Sequence, residues 1–230
     1  HVWSCKVVAN YKDIKYNFTA SSNATGVGGA WTLIKTQTVS TAVAAVDFIH
    51  GTSSVVFDST YEMYLITYVM LHPSATNPSL HWAPGDGDFT DDKHSVNYIL
   101  RSNNTESDVD GGGEPGNIAI VVGYNDSAHS NSKTAAEIIG WRVHGTSSSV
   151  STADKSASGH IYISDVGETD TWKCFLSDCI TDGGGYNDEM ESSHTGGFIR
   201  QTGAIDRFRF EFASGNIDAG SFSLYGLAKS

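Results

Sequence analysis

The sequence predicts an all-β protein: an antiparallel β-sandwich, jelly-roll-like, with long acidic and Gly-rich loops. Short segments of alternating apolar and polar residues recur along the 230 residues, and no segment has convincing amphipathic helical periodicity. Turn-forming residues separate these segments, and they are mainly Gly, Ser and Asn, because the chain has 24 Gly but only four Pro. Many short strands joined by turns are typical of a sandwich, and we count roughly ten to twelve of them.

The clearest alternation lies at the C-terminal end, in residues 204–227. Successive side chains of a strand point to opposite faces, so the first half of this stretch separates into an apolar and a charged face. These faces are Phe208, Phe210 and Phe212 against Arg207, Arg209 and Glu211. Residues 214–216 have turn composition, and alternation resumes with Phe222 and Leu224. The pattern predicts a hairpin.

The remaining strands are predicted from the same pattern, in chain order. They cover residues 2–9, 31–39, 43–49, 61–71, 80–82, 96–101, 118–124, 136–143, 160–165 and 171–176. The segment 103–116 is charged and Gly-rich, the segment 192–197 consists of Ser, His, Thr and Gly, and both are predicted as parts of long loops.

The predicted strand at residues 61–71 is apolar on both faces. Met63, Leu65 and Val69 fall on one face, and Tyr64 and Ile66 on the other. Such a strand is either central in a stacked architecture or half-covered by a neighbouring subunit.

A composition change divides the chain near residue 29. Residues 19–29 are rich in Gly, Ser and Asn, which is typical of a linker. We therefore predict an N-terminal strand and attachment segment at residues 1–29 and the β-sandwich domain at residues 30–230. The first residues resemble neither a signal peptide nor an initiator methionine, so we expect the chain to begin inside a longer product or after processing. No apolar run reaches the roughly 18 residues of a membrane span.

The charge is strongly acidic, with 26 Asp and Glu against 14 Lys and Arg and a net charge of −12. This sign argues against nucleic acid as a partner. Within the acidic loop of residues 86–92, the alternating oxygens resemble those of Ca²⁺ loops: Asp86, Asp88, Asp91 and Asp92. The loop lacks the glycine and final glutamate of an EF-hand, so a solvated acidic loop is the favoured interpretation. A second acidic pair, Asp108 and Asp110, is weaker still.

No other pattern indicates a catalytic, cofactor-binding or metal site. The nine histidines show no metal-ligand spacing, no Gly-x-Ser-x-Gly elbow is present, and the Gly-rich runs lack the lysine of a phosphate loop. Five tryptophans could stack on sugars, although core packing is the more usual role. Trp82, beside the acidic loop, is the best candidate for exposure. We therefore predict a non-enzymatic protein with no cofactor, metal ion or catalytic residue.

The three cysteines leave two interpretations open. Cys174 and Cys179 are close enough in sequence to pair, which would leave Cys5 alone. The odd number favours free thiols.

Two segments carry a resemblance to a known family. Residues 214–226 read SGNIDAGSFSLYG, and residues 46–68 read VDFIHGTSSVVFDSTYEMYLITY. Both resemble segments of small tailed-bacteriophage virion proteins, of the type found in marine phages. Within the family pattern, Ala213 stands in place of a serine and His50 in place of an asparagine.

The resemblance implies a structural protein on the surface of the virion, as a tail-fibre or host-attachment module or as a capsid decoration. It also implies a homo-oligomer, typically a trimer, that contacts other virion proteins and possesses loops able to meet host surface glycans. It implies no membrane insertion. Two alternatives stay open from the residues themselves: a carbohydrate-binding, lectin-like module, and a polysaccharide-degrading enzyme whose paired carboxylates only the fold would reveal.

Overall fold

The computed structural model describes residues 31–75, 78, 80–91, 93–102, 118–124, 137–140, 156–183 and 189–229. The described residues contain twelve strands and no helix. In chain order, the strands are β1 (Trp31–Val39), β2 (Ala45–Ile49), β3 (Tyr61–Pro73), β4 (Leu80–Gly85), β5 (Lys93–Ser102), β6 (Ile118–Tyr124), β7 (Glu137–Gly140), β8 (Ala157–Ser164), β9 (Lys173–Gly183), β10 (Glu189–Ile199), β11 (Arg207–Phe212) and β12 (Ile217–Ala228).

The strands form two antiparallel sheets. The large sheet has the order β1-β12-β3-β8-β9-β10-β5-β6, and the small sheet has the order β2-β11-β4-β7. All pairings between named strands are antiparallel. The prediction of an all-β, antiparallel sandwich is therefore confirmed.

Aromatic rings from both sheets fill the space between them. Phe210 of the small sheet lies 5.1 Å from Phe222 and 6.4 Å from Tyr68 of the large sheet, measured between ring centroids. Trp82 of β4 lies 5.0 Å from Phe175 of β9. All these rings are at most 5% exposed, so the sheets pack face to face over one continuous core.

The prediction of a C-terminal hairpin is wrong in its pairing, although both strands form. β11 pairs with β2 and β4 in the small sheet, whereas β12 pairs with β1 and β3 in the large sheet. Alternation reports which face of a strand is buried but not which strand lies beside it. The turn at residues 213–216 carries the chain from one sheet to the other, so the two strands occupy inner positions of opposite sheets.

The prediction of a loop at residues 192–197 is also wrong, because this segment lies inside β10. Ser193 and Thr195 are buried on the inner face of this strand, Ser192 and His194 lie on its outer face, and β10 is paired on both sides. The predicted strands at 160–165 and 171–176 form with shifted bounds, as β8 and β9. The predicted strand at 2–9, the linker, the boundary near residue 29 and the loop at 103–116 lie outside the described residues.

Neither cysteine of β9 forms a disulfide. Cys174 is exposed and Cys179 is buried. They are an odd number of residues apart in a strand, so their side chains point to opposite faces of the sheet and cannot meet. The interpretation as free thiols is therefore confirmed for this pair, whereas Cys5 lies outside the described residues.

Candidate functional site

One face of the large sheet is the main candidate surface. We define the outer face as the side chains of the large sheet that point away from the small sheet. Burial alternates along its strands: in β9, for example, Phe175, Ser177 and Cys179 are buried, whereas Leu176 and Ile180 are exposed. On five strands the outer positions are Met63, Leu65, Thr67 and Val69; Ser158, His160, Tyr162 and Ser164; Cys174, Leu176, Asp178 and Ile180; Ser192, His194, Gly196 and Phe198; and Ser221, Ser223, Tyr225 and Leu227.

An apolar row crosses this face in strict register. Each member is the direct cross-strand partner of the next, so their side chains lie beside one another. From β1 to β9 the row is Leu33, Tyr225, Leu65, Tyr162 and Leu176. Leu33 and Leu176 are 54% and 51% exposed. The row is therefore a solvent-exposed apolar stripe rather than part of the core.

Next to it runs a polar row, also in register. Its partners from β12 to β10 are Ser223, Thr67, His160, Asp178 and His194. At the β1 end, the Thr36 and Ser223 hydroxyls are 2.9 Å apart. Ser158 and Ser192 lie one outer position further along their strands.

The histidines of this row share one carboxylate. His194 Nδ1 lies 2.5 Å from Asp178 Oδ1, and His160 Nε2 lies 3.5 Å from Asp178 Oδ2. Ser192 Oγ is 3.3 Å from His194 Nε2. All three charged or titratable side chains are about one-third exposed, so solvent screens the interaction.

The Ser192, His194 and Asp178 side chains are connected in the order of a nucleophile, a base and an orienting acid. That reaction also needs free backbone N–H groups to stabilise an oxyanion. β10 is paired with β9 on one side and β5 on the other, so ladder hydrogen bonds occupy its N–H groups. The cluster therefore presents hydrogen-bonding groups on the outer face without oxyanion donors from β10.

Beside the apolar row lies a shallow depression of about 400 Å³. Its walls include Met63, Tyr162, Cys174 and Leu176. The outer position next to Leu176 on β10 is Gly196, whose absent side chain leaves the sheet surface open there. The depression has the apolar lining that a protruding side chain of a partner would fill.

The exposed tryptophans are not the one predicted. Trp82 is 1% exposed, packed among Phe175, Phe208 and the Lys93 ammonium group, so its prediction as an exposed sugar platform is wrong. Trp172 is 47% exposed and stacks on Phe198, with 5.0 Å between ring centroids and 16° between ring planes. Trp3 and Trp141 lie outside the described residues.

Hydrogen bonds hold the acidic loop after β4 in place. The backbone N–H and hydroxyl of Thr90 donate to Asp88 Oδ1, and Gln201 Nε2 donates to Asp91 Oδ1. Asp206 binds Arg207 through both carboxylate oxygens, and these hydrogen bonds lower the pKa of Asp206.

No group of three or more His, Cys, Asp or Glu is placed to hold a metal ion among the described residues. Asp92, Asp108 and Asp110 lie outside them.

The outer side of the small sheet has a different character. Arg209 forms a bidentate ion pair with Asp47, at 2.8 and 2.7 Å, and its guanidinium lies over the Phe89 ring. Every large hydrophobic residue that is exposed in the described part of the chain lies on or beside the large sheet: Trp31, Leu33, Val69, Met70, Trp172, Leu176 and Ile180. The two sides of the sandwich are therefore chemically distinct.

Sequence reasoning missed the His160, Asp178 and His194 cluster. Its members are 16 to 34 residues apart in sequence, and only the order of β8, β9 and β10 makes them neighbours. The alternation in residues 173–181 was a usable signal for a strand, but the segment 192–197 offered no apolar alternation to suggest β10.

No family model, curated protein or solved structure matches this chain. Among the described residues, no helix is long and apolar enough to cross a membrane.

Proposed function

We propose that the protein is a non-enzymatic structural component of a tailed-phage particle, displayed on the virion surface as a host-attachment or decoration module. The observation that carries the proposal is where the two family-like segments lie. Residues 214–226 supply the sheet-crossing turn and most of β12, and residues 46–68 supply most of β2 and the first half of β3. These segments build the framework of the sandwich, as expected if the resemblance concerns architecture rather than chemistry.

We also infer a jelly-roll topology, which supports the same proposal. Setting aside β5, β6, β9 and β10 leaves eight strands, in the orders β1-β12-β3-β8 and β2-β11-β4-β7. Renumbered along the chain, these orders read 1-8-3-6 and 2-7-4-5, which is the arrangement of two interleaved Greek keys. Jelly rolls of this type occur in viral capsid and lectin domains.

The test is the position and copy number of the chain on intact phage particles. Quantitative mass spectrometry of purified particles is expected to detect the chain at a fixed number of copies. A number matching the capsid lattice would identify decoration, and a small number matching the tail symmetry would identify attachment. Purified particles that lack the chain would contradict the proposal.

A carbohydrate-binding module is the second candidate, favoured by the exposed Trp172 ring stacked on Phe198. Arg200 lies 5.6 Å from the Trp172 ring centroid and could add hydrogen bonds to a sugar. A glycan array with the wild-type protein and Trp172→Ala tests it. Binding that the substitution abolishes would support a lectin-like role, and an array without hits would remove it.

The enzyme alternative has a direct test as well. The Ser192, His194 and Asp178 arrangement predicts no measurable turnover of ester substrates, since the backbone N–H groups of β10 that could act as oxyanion donors are engaged in the sheet. Turnover that is lost in Ser192→Ala or His194→Ala would contradict the non-enzymatic assignment.

A further inference from the structure

We infer that the outer face of the large sheet is a self-association surface, occupied by the same face of a second copy of this chain. The inference rests on the proposed structural role and deepens it by naming the partner and the surface. Three properties of the face lead to it: its size, its charge and the order of residues along its rows.

The size is sufficient for a specific interface. From β1 to β10 the face spans six strands, or about 24 Å at the usual strand spacing. Along β9, the outer positions from Cys174 to Ile180 and the preceding Trp172 extend over about 27 Å. The flat projection is on the order of 650 Å², and the protruding side chains increase the accessible area toward the roughly 800 Å² per partner of a standard interface.

The charge of the face distinguishes it from the rest of the molecule. The chain carries a net charge of −12, yet Asp178 is the only Asp, Glu, Lys or Arg among the outer positions named above, and the nearest further acids, Asp182 and Asp218, lie towards the ends of β9 and β12. Two histidines already contact that carboxylate. A second acidic copy can therefore approach this face with little repulsion, and an interface depleted of charge is typical of protein association.

The order of residues makes the face complementary to itself. Consider a two-fold axis that runs parallel to the strands and passes between β3 and β8. In the apolar row, Tyr225 and Leu65 of one copy then oppose Leu176 and Tyr162 of the other, so each aromatic ring meets an aliphatic side chain. This is the reciprocal pairing that an isologous interface requires.

The polar row is self-complementary about the same axis. Ser223 opposes Asp178 of the second copy, and Thr67 opposes His160. Hydroxyl groups, which both donate and accept, thus meet a carboxylate and an imidazole that can complete their hydrogen bonds. The polar groups of this row would then keep hydrogen-bond partners when the face is buried. Their pairing would also fix the register of the two copies.

The first experiment is light scattering during size-exclusion chromatography at micromolar concentration. One chain has a mass of 24.6 kDa, and pairing predicts an even number of copies: two, or six if trimers also pair. Leu176→Asp and Ile180→Asp are made separately. Each places a second carboxylate near Asp178, and the two-fold symmetry repeats that charge in the other copy. Each is expected to halve the mass and to weaken association at least tenfold, while circular dichroism and thermal unfolding stay those of a folded sandwich.

Ala213→Asp is the matched control, because it adds the same charge at the exposed turn between β11 and β12. It is expected to leave the mass unchanged. A monomeric wild-type protein, an odd number of copies, or an oligomer that survives both outer-face substitutions would overturn the inference. None of these results would affect detection of the chain on particles, so the proposed function is tested separately.

A second readout uses the wild-type protein and the thiol of Cys174, which is exposed on the outer face of the single chain. Pairing covers this thiol, so its labelling rate, followed by peptide mass spectrometry, is expected to fall as protein concentration rises. An Ala213→Cys variant provides a reference thiol outside the face, whose rate is expected to stay constant. A Cys174 rate that is independent of concentration in an oligomeric protein would place the interface elsewhere.

Discussion

Lys173 shows how one buried charge can organise two loops. Its side chain is fully buried, and the three N–H donors of its ammonium group are shared among four carbonyl oxygens at 2.7 to 3.1 Å, those of Glu168 and Thr171 before β9 and of Gln201 and Thr202 after β10. Burial lowers the pKa of Lys173, and the surrounding carboxylates act in the opposite direction. The lysine thus connects the loop before β9 to the loop after β10 through one buried ammonium group.

Lys173→Met keeps the apolar stem and removes the ammonium donors shared by the four carbonyl oxygens. We expect a loss of about 2–4 kcal/mol in the free energy of unfolding, because the carbonyl oxygens lose their shared donor. Lys229→Met is the control, since it removes only a surface ion pair with Glu168, 3.2 Å long, and should cost under about 1 kcal/mol. Urea titrations measure both, and equal losses would refute the role of Lys173.

His81 on β4 provides the clearest pH dependence. Burial, with a smaller contribution from the Lys93 charge, lowers the pKa of His81 from 6.5 to about 4. Below pH 6.5 the His81 side chain is therefore protonated in the unfolded chain, whereas in the folded chain it becomes protonated only near pH 4. Protonation of His81 in the unfolded chain does not reduce the free energy of unfolding above pH 6.5. It reduces this free energy increasingly as the pH falls from 6.5 toward 4.

Replacing His81 by glutamine removes this titration. Between about pH 7 and pH 4.5, the wild type should lose on the order of 2 kcal/mol more unfolding free energy than His81→Gln, as measured by denaturant titration at each pH. Carboxylates titrate in both proteins, so the difference isolates His81. Parallel pH profiles of the two proteins would contradict the assignment.

At the scale of elements, β3 and β12 meet at an irregular place where Gly220 is required. Gly220 has a φ of +126°, and a Cβ there would lie 2.6 Å from Leu71 Cδ2 and 2.8 Å from the Met70 carbonyl oxygen. The register of the two strands shifts on both sides of Ala219, next to this contact. The glycine therefore lets β12 approach β3 just after the chain has crossed between sheets.

Gly220→Ala should destabilise the protein by about 2–4 kcal/mol, through backbone strain and a clash with backbone atoms. Gly51→Ala separates the two causes, because Gly51 also has a positive φ of +76° but open space around it. The control should cost only about 1 kcal/mol in thermal or chemical unfolding. A Gly220 variant no less stable than the Gly51 variant would show that the contact with β3 yields easily.

The elements also show how far the sequence could predict this fold. The alternation of Phe208, Phe210 and Phe212 predicts both the strand and its buried face, because alternation is a local signal. The neighbours of that strand, β2 and β4, are distant in sequence, so nothing near residue 210 indicates that β12 lies in the other sheet. β10 escaped prediction because its serines, threonine and glycines resemble a loop, and only pairing on both sides makes them a strand.

Local alternation also predicted part of the outer face, namely the apolar side chains of β3. The two apolar faces of residues 61–71 left two possibilities open, a central strand or one covered by a neighbour. β3 lies inside the large sheet, and Val69 and Met70 are about half exposed in the single chain, so covering by a second copy stays a proposal. The polar row could not be predicted, because its members belong to strands whose order only the fold determines.

At the scale of the whole molecule, the sandwich depends on its last strand. β12 pairs with β1 and β3 and contributes Phe222 and Leu224, both fully buried, to the core. Every contact just described is made by residues 31–229. Deletions from the two ends of the chain should therefore have opposite consequences.

A chain that begins at residue 30 should unfold in one cooperative transition with a midpoint within a few degrees of that of the full chain, because β1 to β12 are intact. A chain that ends at residue 214 should show no cooperative transition. It loses the central strand between β1 and β3, which leaves backbone groups of both strands unpaired and the rings of β11 uncovered. Calorimetry distinguishes the outcomes. Loss of cooperativity in the chain lacking residues 1–29 would show that the sandwich domain begins before residue 30.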